Sequence, residues 1–318
     1  MAERELMLAR QGWADALLEL GEKNPKVVVL DADLAKSTLT CLFKDKFPKR
    51  FFDMGIAEQN MINVAGGLSL TGLIPFVATY GVFVSGRAWE QIRTSICYGQ
   101  LNVKFGGAHG GISVGPDGAT HQALEELTIM RVLPNMTVLA PADYYETKKA
   151  VLASVEINGP VYIRFGREKT PAVTKPDSPF EIGKANIMQE GEDITIIACG
   201  TMVAESLNAA EFLATKGVST EVINLHTIKP LDKNTILNSV KKTKCVVTAE
   251  EHQLAGGMGS AVIEVLAQNL PVPVEMVGIN DTFGESGTPK ELMRKYGITS
   301  KDIIEKSLKV ILRKKSNS

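Results

Sequence analysis

The chain has 318 residues, of which 35 are Lys or Arg and 36 are Asp or Glu, giving a formal net charge of −1. A nearly neutral chain argues against nucleic acid or an anionic membrane surface as the main partner. With 44% hydrophobic and 22% charged residues, the composition is that of a globular protein, and the length suggests two domains.

Cysteine usage and the amino terminus predict the compartment. The four cysteines are far apart and form no CxxC pair or Cys/His cluster (Cys41, Cys97, Cys199 and Cys245). They are typical of reduced core thiols. The amino terminus lacks an apolar signal core, and no apolar run approaches the ~20 residues that span a bilayer. We therefore expect a cytoplasmic protein.

In the first half, short β-rich runs alternate with longer helical patterns. The predicted strands are residues 26–33, 51–55, 74–80, 101–107, 136–141 and 161–166. The predicted helices are residues 10–20, 57–70, 87–98, 121–132 and 144–155. In the second of these helices, Met61, Ala65 and Leu68 recur at helical spacing. Strand–helix alternation with continuous apolar strands predicts a mostly parallel sheet covered on both faces.

A proline-rich stretch separates this pattern from a second one of the same kind. Strands at DITIIACG, STEVINLHTI, KCVVTAEE and VEMVGIN alternate with helical patterns, and the tail from Thr288 is helical. The sequence therefore predicts an α/β protein of two domains, each a mostly parallel sheet with helices on both faces. The expected boundaries are residues 1–170, a linker at 171–184, and residues 185–318.

Three features of the first half could carry chemistry. Glu58 lies in the opening turn of a helix, where a carboxylate could simply complement the helix dipole. Tyr80 and Phe83 cluster in PFVATYGVF, where core packing is the usual role of aromatic residues. The third feature is a glycine-rich stretch at residues 106–121, which we expect to be a long irregular loop.

That loop follows a predicted strand and carries His109, Asp117 and His121. In open α/β sheets, ligands bind at the carboxyl ends of the strands, and long ordered loops tend to be functional. The alternative is a solvated loop with incidental histidines. For His226 and His252, near strand ends in the second half, an ordinary structural role is favoured.

An ordered series of motifs resembles the transketolases over nearly the whole chain. GIAEQNMINVAGGL, PFVATYGVF, GRAWEQIR, GGISVGPDGATHQ and LPNMTVLAPAD resemble the family's pyrimidine-binding domain. ITIIACGTMVAES, TIKPLD and AGGMGSAV resemble its C-terminal domain. The resemblance implies a thiamine-diphosphate-binding fold followed by a transketolase C-terminal-domain-like fold.

The resemblance also implies a cofactor and the residues that bind it. Glu58 matches the glutamate that bonds N1′ of the aminopyrimidine of thiamine diphosphate. That role requires a carboxyl group that keeps its proton in an apolar, partly desolvated site. By similarity, Tyr80 and Phe83 stack on or flank the pyrimidine. An extra residue in the segment after Phe83 leaves the third position of this pocket unassigned, and Gly86 is given no role.

Further family positions imply a sugar-phosphate channel. His109 and His121 match catalytic, substrate-contacting histidines, and Asp117 matches a residue that binds a substrate hydroxyl. The remaining matches to substrate-binding positions are Arg10, Ser37 and Arg164. Guanidinium and hydroxyl groups suit a dianionic phosphate. The implied reaction moves a two-carbon ketol unit from a ketose phosphate to an aldose phosphate, as in the pentose phosphate pathway.

No GDG motif is present in the sequence, although the family's diphosphate-binding domain carries one. We therefore expect Mg²⁺ and the diphosphate to be held by a separate N-terminal transketolase subunit, with no metal site in this chain. The expected assembly is α2β2, containing a homodimer of this chain, and the chain alone should be inactive. Met1 looks like a natural start rather than a truncation point.

Three other interpretations stay open. A beta subunit of a 2-oxo acid dehydrogenase would have the same two domains, but GPDGATHQ at residues 115–122 favours sugar phosphates. Deoxyxylulose-phosphate synthases resemble this loop less. A non-catalytic scaffold would have kept the fold alone, and the joint presence of Glu58, His109, Asp117 and His121 argues against it.

Overall fold

A computed structural model describes residues 4–316; residues 1–3, with the predicted start at Met1, and residues 317–318 lie outside the described part. The strands are β1 (Leu6–Leu8), β2 (Val27–Asp31), β3 (Phe51–Asp53), β4 (Ile74–Tyr80), β5 (Lys104–Ala108), β6 (Thr137–Leu139), β7 (Val161–Phe165), β8 (Lys169–Pro171), β9 (Asn186–Gln189), β10 (Ile194–Ala198), β11 (Thr220–Asn224), β12 (Thr227–Lys229), β13 (Val246–Gln253) and β14 (Val274–Ile279).

Helices connect most of these strands. They are α1 (Ala9–Lys23), α2 (Ala35–Thr38), α3 (Cys41–Lys46), α4 (Glu58–Leu70), α5 (Gly81–Arg87), α6 (Trp89–Gln91), α7 (Glu126–Arg131), α8 (Tyr144–Ser154), α9 (Met202–Ala214), α10 (Lys233–Thr243), α11 (Met258–Asn269), α12 (Pro289–Lys295) and α13 (Ser300–Ser316). Short 3₁₀ segments cover Pro48–Arg50 and Ile112–Asp117, and a π-helix covers Ile92–Cys97.

The first sheet has seven strands in the order β12-β6-β7-β5-β4-β2-β3. All neighbours from β6 to β3 are parallel, and β12 pairs antiparallel with β6. β12 comes from the second half of the chain, so the edge of the first sheet is completed by the second domain. Sequence analysis did not predict this crossing, because a three-residue strand leaves almost no periodic signal.

The second sheet has five strands in the order β14-β13-β10-β11-β9. Only β9 is antiparallel to its neighbour. Two mostly parallel sheets flanked by helices confirm the predicted fold class. A separate two-stranded sheet, β1 with β8, joins residues 6–8 to residues 169–171, so it ends at the first residue of the linker predicted at 171–184.

Both faces of the first sheet are covered by apolar helix faces. On one face, Trp13 of α1 is fully buried and stacks on Phe165 with ring centroids 5.3 Å apart. On the other, Met61 and Ala65 of α4 are fully buried, and Leu68 packs against the same core. The predicted stripe on α4 is therefore confirmed.

Two adjacent glycines let β5 pass between large side chains. A Cβ on Gly106 would lie 2.6 Å from the Trp13 ring, and one on Gly107 would overlap the Tyr162 hydroxyl. Trp13 and Tyr162 are both fully buried, so neither can move aside. Small residues at these positions allow helix α1 to lie close against the strand that leads into the predicted loop.

Several predicted boundaries were wrong around the loops. The helix expected at residues 121–132 begins only at Glu126, because residues 118–125 form turns. The helix expected at 87–98 is broken into α6 and the π-helix. Part of the stretch expected to be irregular, residues 112–117, is 3₁₀-helical and bends at Gly115, whose φ is +79°.

The four cysteines are unpaired. Within residues 4–316, no helix is long and apolar enough to cross a membrane.

Candidate active site

Two aromatic rings and two imidazoles meet at the carboxyl edge of the first sheet. Strands β4 and β5 pair Tyr80 with Ala108, so His109 emerges beside Tyr80. The two rings stack with centroids 4.1 Å apart, and Phe83 stacks on Tyr80 at 5.6 Å. His121 approaches Phe83 edge-on at 5.3 Å. Residues that are up to 41 positions apart in sequence thus form one cluster.

His109 is held in an unusual state. It is 2% exposed, and its φ of +59° lies in the left-handed region that non-glycine residues seldom adopt. Burial, followed by the nearby cations of Arg10 and Arg167, lowers the pKa of His109 to about 3. Its Nδ1 has no hydrogen-bond partner. A neutral, buried imidazole with an unpaired nitrogen is suited to exchanging a hydrogen bond with a bound ligand.

Glu58 opens helix α4 and lies on the rim of the ring cluster. Its side chain is 5% exposed, and Oε1 accepts an ion-paired hydrogen bond from Nη1 of Arg87 at 2.9 Å. The Arg87 guanidinium also lies 3.9 Å from the centre of the Phe83 ring. An open cleft of about 440 Å³ adjoins this pair, lined by residues 56–60 and Arg87.

We call the space between the Glu58 carboxylate and the Phe83 ring, where the Arg87 guanidinium lies, the slot. The guanidinium indicates which kind of ligand could bind there. It is a planar group that contacts the ring of Phe83 while donating N–H to the Glu58 carboxylate. The aminopyrimidine of thiamine diphosphate is also planar and also presents ring and amino nitrogens. Arg87 is half exposed, so it can swing away into solvent. Glu58 and Phe83 therefore fit such a ring, and the unpaired Nδ1 of His109 stays available to another ligand group.

Arg10 and Ser37 are brought together on the same side of the cluster. Nη1 of Arg10 donates to the Ser37 carbonyl at 2.9 Å. The buried carboxylate of Asp31, at the end of β2, shapes this turn by accepting from the Leu34 amide and the Thr38 hydroxyl at 2.6 and 2.9 Å. The Arg10 cation is close enough to His109 to lower its pKa, so it lies near the rings.

Asp117 is paired with an arginine that sequence analysis missed. Nη1 of Arg167 lies 3.1 Å from Asp117 Oδ1 and also donates to the Val114 carbonyl at 2.9 Å. Arg167 is partly exposed and acts electrostatically on His109. Its position just beyond the carboxyl end of β7 was a usable signal, since ligands bind at that edge.

Arg164 is not brought to the ligand side of this cluster. Its side chain is 5% exposed, and Nε lies 2.5 Å from the fully buried Glu126 carboxylate. Nη2 donates to the Glu251 carbonyl at 2.6 Å. A substrate phosphate could reach this guanidinium only by breaking a buried ion pair, which is costly. The geometry assigns Arg164 to the contact between the domains and leaves Arg10 and Arg167, in addition to Arg87, as cations near the rings.

Some buried polar groups of the second domain pair with one another, whereas others, such as Nε2 of His226, have no hydrogen-bond partner. The amides at the start of α11 bind a side chain of this chain rather than a ligand. The Glu250 carboxyl group accepts from the amides of Met258 and Gly259 at 2.7 and 2.8 Å. His226 and His252 are fully buried. Neither contacts the ring cluster, which agrees with the structural role favoured for them.

A cavity of about 710 Å³ lies at the junction of the two domains rather than at the rings. It is lined by the start of α9, by α12 and by the start of α13, together with residues 168–171. Glu58 instead lines the open cleft of about 440 Å³. In the described range 4–316, no group of three or more His, Cys, Asp or Glu side chains could hold a metal ion.

Comparison with known proteins gives consistent matches for both halves. Residues 7–173 match the family model "Transketolase, pyrimidine binding domain", and residues 183–303 match "Transketolase, C-terminal domain". A "Putative transketolase C-terminal section" from Methanocaldococcus jannaschii is 48% identical, covering 93% of this chain and 94% of the relative. A "6-deoxy-6-sulfo-D-fructose transketolase subunit" from Clostridium sp. is 43% identical, covering 96% and 95%.

A solved structure agrees in fold over almost the same length. The protein described as "Split gene transketolase, inactive beta4 tetramer" superposes with a TM-score of 0.91 at 50% identity, covering 97% of this chain and 99% of that one. The match spans both sheets and the contact between them. The chain thus belongs to the transketolase family and resembles the C-terminal subunits of its split members.

Proposed function

We propose that this chain binds the aminopyrimidine side of thiamine diphosphate in a two-subunit transketolase. In this assembly a two-carbon ketol unit passes from a ketose phosphate to an aldose phosphate. The observation that carries the proposal is that Arg87 links Glu58, which lines an open cleft, to the Phe83 ring of the cluster that also contains neutral His109. When bound, thiamine diphosphate supplies an electron sink for breaking and making carbon–carbon bonds beside a carbonyl.

The chain's own residues divide the work of binding and proton transfer. Glu58 bonds the aminopyrimidine ring, and Tyr80 and Phe83 support its face. His109, neutral at physiological pH, exchanges a hydrogen bond with a substrate hydroxyl through a ring nitrogen. His121 lies edge-on to the same rings and contacts the substrate from the other side.

The charged end of the substrate is proposed to lie between Arg10 and Arg167. Both guanidinium groups are partly exposed and both act on His109, so an anion between them would stay within reach of that imidazole. The Ser37 main-chain carbonyl lies 2.9 Å from Arg10 and the Asp117 carboxylate 3.1 Å from Arg167, so both residues are placed to orient substrate hydroxyls. Fork-shaped guanidinium groups favour phosphate or a similar oxyanion.

We propose that a separate N-terminal subunit completes the site and holds Mg²⁺ and the diphosphate, in an α2β2 assembly located in the cytoplasm. Ile56, on the rim beside Glu58, leaves 76% of its surface exposed, which a partner surface would cover. Both matched family domains belong to the pyrimidine side and the C-terminal region. In the related split-gene protein, a tetramer of β chains is described as inactive.

The test is an assay with xylulose 5-phosphate and ribose 5-phosphate, with thiamine diphosphate and Mg²⁺. It is run on this chain alone and together with a candidate diphosphate-binding subunit. We expect activity only in the mixture, and its loss in Glu58→Gln. Glu190→Gln, at a carboxylate that is 75% exposed, serves as the matched control and should stay active.

Other outcomes would assign the chain differently. Activity of the chain by itself would refute the need for a partner. Turnover of a 2-oxo acid without any ketose phosphate turnover would favour a dehydrogenase beta subunit. No binding of thiamine diphosphate in any mixture would favour a scaffold.

A further inference from the structure

The segment that carries the substrate-contacting residues is regular only over the short 3₁₀ segment Ile112–Asp117. We call residues 109–122 the substrate loop. Beyond the turns of the 3₁₀ segment at Ile112–Asp117, its main-chain bonds join Gly118 to Gly115 and His121 to Gly118, at 3.1 and 3.0 Å. Two further amides bond outside it, to Phe165 and Ala123. A glycine-rich loop whose regular part is a short 3₁₀ segment that bends at Gly115 needs further contacts to hold one shape.

Arg167 of the first domain bonds Val114 and Asp117 of the loop, and further contacts come from the second domain. Glu251 of β13 is 1% exposed, and its Oε1 accepts the Ser113 amide at 2.5 Å. Its Oε2 accepts the Thr201 hydroxyl at 2.9 Å. The carboxylate also lies against Gly111, where any Cβ would overlap it. One buried carboxylate thus joins the start of the substrate loop to the second domain.

A second group of contacts holds the other end of the loop. The Gln122 side chain is 3% exposed and donates from Nε2 to the carbonyls of Ile112 and Gly115, each at 3.3 Å, and of Glu285 at 2.9 Å. Its Oε1 lies against Gly284, where a Cβ would collide with it. The segment 284–289 of the second domain therefore packs directly against the loop that carries Asp117 and His121.

We infer that the C-terminal domain positions the substrate loop, through Glu251 and the segment 284–289, and so determines how tightly the sugar phosphate binds. Glu251 is a positioning residue, because it contacts the loop backbone and not the ring cluster. The inference rests on the proposed function for the nature of the substrate, but not for the contacts themselves. It gives the second domain a part in the site beyond assembly.

The expected consequence is a selective loss of substrate affinity. If the loop keeps its binding shape for only about one tenth of the time, the apparent affinity falls about tenfold. The slot at Glu58 and Phe83 lies outside the loop, so cofactor affinity should change less than about twofold. A general loss of folding would instead weaken both.

The experiment compares Glu251→Ala with Glu251→Gln, and both with Glu190→Ala. Hydrogen–deuterium exchange of peptides covering residues 109–122 is measured on the full chain, without partner or substrate. KM, kcat and the Kd of thiamine diphosphate are then measured in the reconstituted enzyme. We expect Glu251→Ala to accelerate loop exchange and raise KM for the ketose phosphate about tenfold at nearly unchanged kcat. Glu251→Gln, whose side-chain oxygen can still accept from the Ser113 amide, should keep loop exchange and KM close to the wild-type values.

Gly284→Ala gives an independent test if Glu251→Ala does not fold. Gly284 has no positive φ and is only partly buried, so alanine is compatible with its backbone. The added methyl group should push Gln122 and accelerate loop exchange, whereas Gly67→Ala, at an open helical position, should not.

Unchanged loop exchange in the folded variants would overturn the inference. So would faster exchange with an unaltered KM in an active enzyme. If the reconstituted wild type has no transketolase activity, the proposed function fails, but the exchange data still decide whether the C-terminal domain holds the loop.

Discussion

Arg87 occupies the place proposed for the cofactor's aminopyrimidine, so its removal should tighten cofactor binding. Arg87→Met keeps the length of the side chain but abolishes the ion pair with Glu58 and the cation–π contact with Phe83. In the wild type, thiamine diphosphate has to displace both interactions before it can bind. In the variant the slot is already free.

The size of the effect follows from the exposure of the two partners. Arg87 is half exposed, so its pair with Glu58 contributes about 0.2–1 kcal/mol, the range of surface ion pairs. The contact with Phe83 contributes about 0.5–1 kcal/mol at such a site. Together they amount to about 1–2 kcal/mol, which corresponds to a Kd lowered about 5- to 30-fold. Arg87→Lys, which keeps the charge but not the planar group, should lie in between.

The assay is a calorimetric titration of thiamine diphosphate into the assembled enzyme at saturating Mg²⁺. Arg294→Met, at an exposed arginine of α12, is the matched control and should bind like the wild type. Equal Kd values for Arg87→Met and the wild type would show that Arg87 does not compete for the slot. A raised Kd would show that Arg87 helps to bind the cofactor, and the reasoning from the Glu58 contact would be wrong.

Two further predictions concern stability and are checked by urea unfolding of the chain. Burial raises the pKa of Glu146 to about 7, so its folded form prefers the proton and stability falls as the pH rises from about 4.5 to 7. In Glu146→Gln, the Asn224 amide can turn so that its oxygen accepts a hydrogen bond from the new side-chain amide. The variant should therefore be more stable than the wild type by up to about 3 kcal/mol at pH 8 but not at pH 4. An equal gain in stability at the two pH values would contradict this. Gly107→Ala should destabilise by at least about 1–3 kcal/mol, because its methyl group overlaps buried Tyr162. Gly67→Ala, at a helical position with open space around it, should not destabilise the protein. Similar unfolding free energies for Gly107→Ala and Gly67→Ala would refute the packing argument.

The ring cluster could be predicted from the sequence because its parts follow strand ends. Tyr80 ends β4, and His109 directly follows β5, the neighbouring parallel strand. Residues at the carboxyl ends of adjacent parallel strands meet at one edge regardless of their distance in sequence. Burial of Met61 and Ala65 was likewise predictable, since helical periodicity reports it directly.

The two arginines of IRFGRE show where sequence reasoning fails. Arg164 lies inside β7, a strand that is buried at every position, and its partner Glu126 lies on a separate helix. The family match selected Arg164, whereas its place within a continuously apolar strand favoured a buried role. Arg167, three residues later, lies beyond the strand end near His109. The contact of Arg87 with Glu58 depends on side-chain conformation, so the sequence pattern does not predict it.

The strand that crosses from the second half into the first sheet restricts how this protein could have been rearranged in evolution. A gene break or recombination event within the connecting segment would remove β12 from β6 and leave an open sheet edge, which is prone to aggregation. It would also leave the Lys229 ammonium without the Arg131 and Leu133 carbonyls that it now binds. We therefore expect the two domains to be inherited together as one unit.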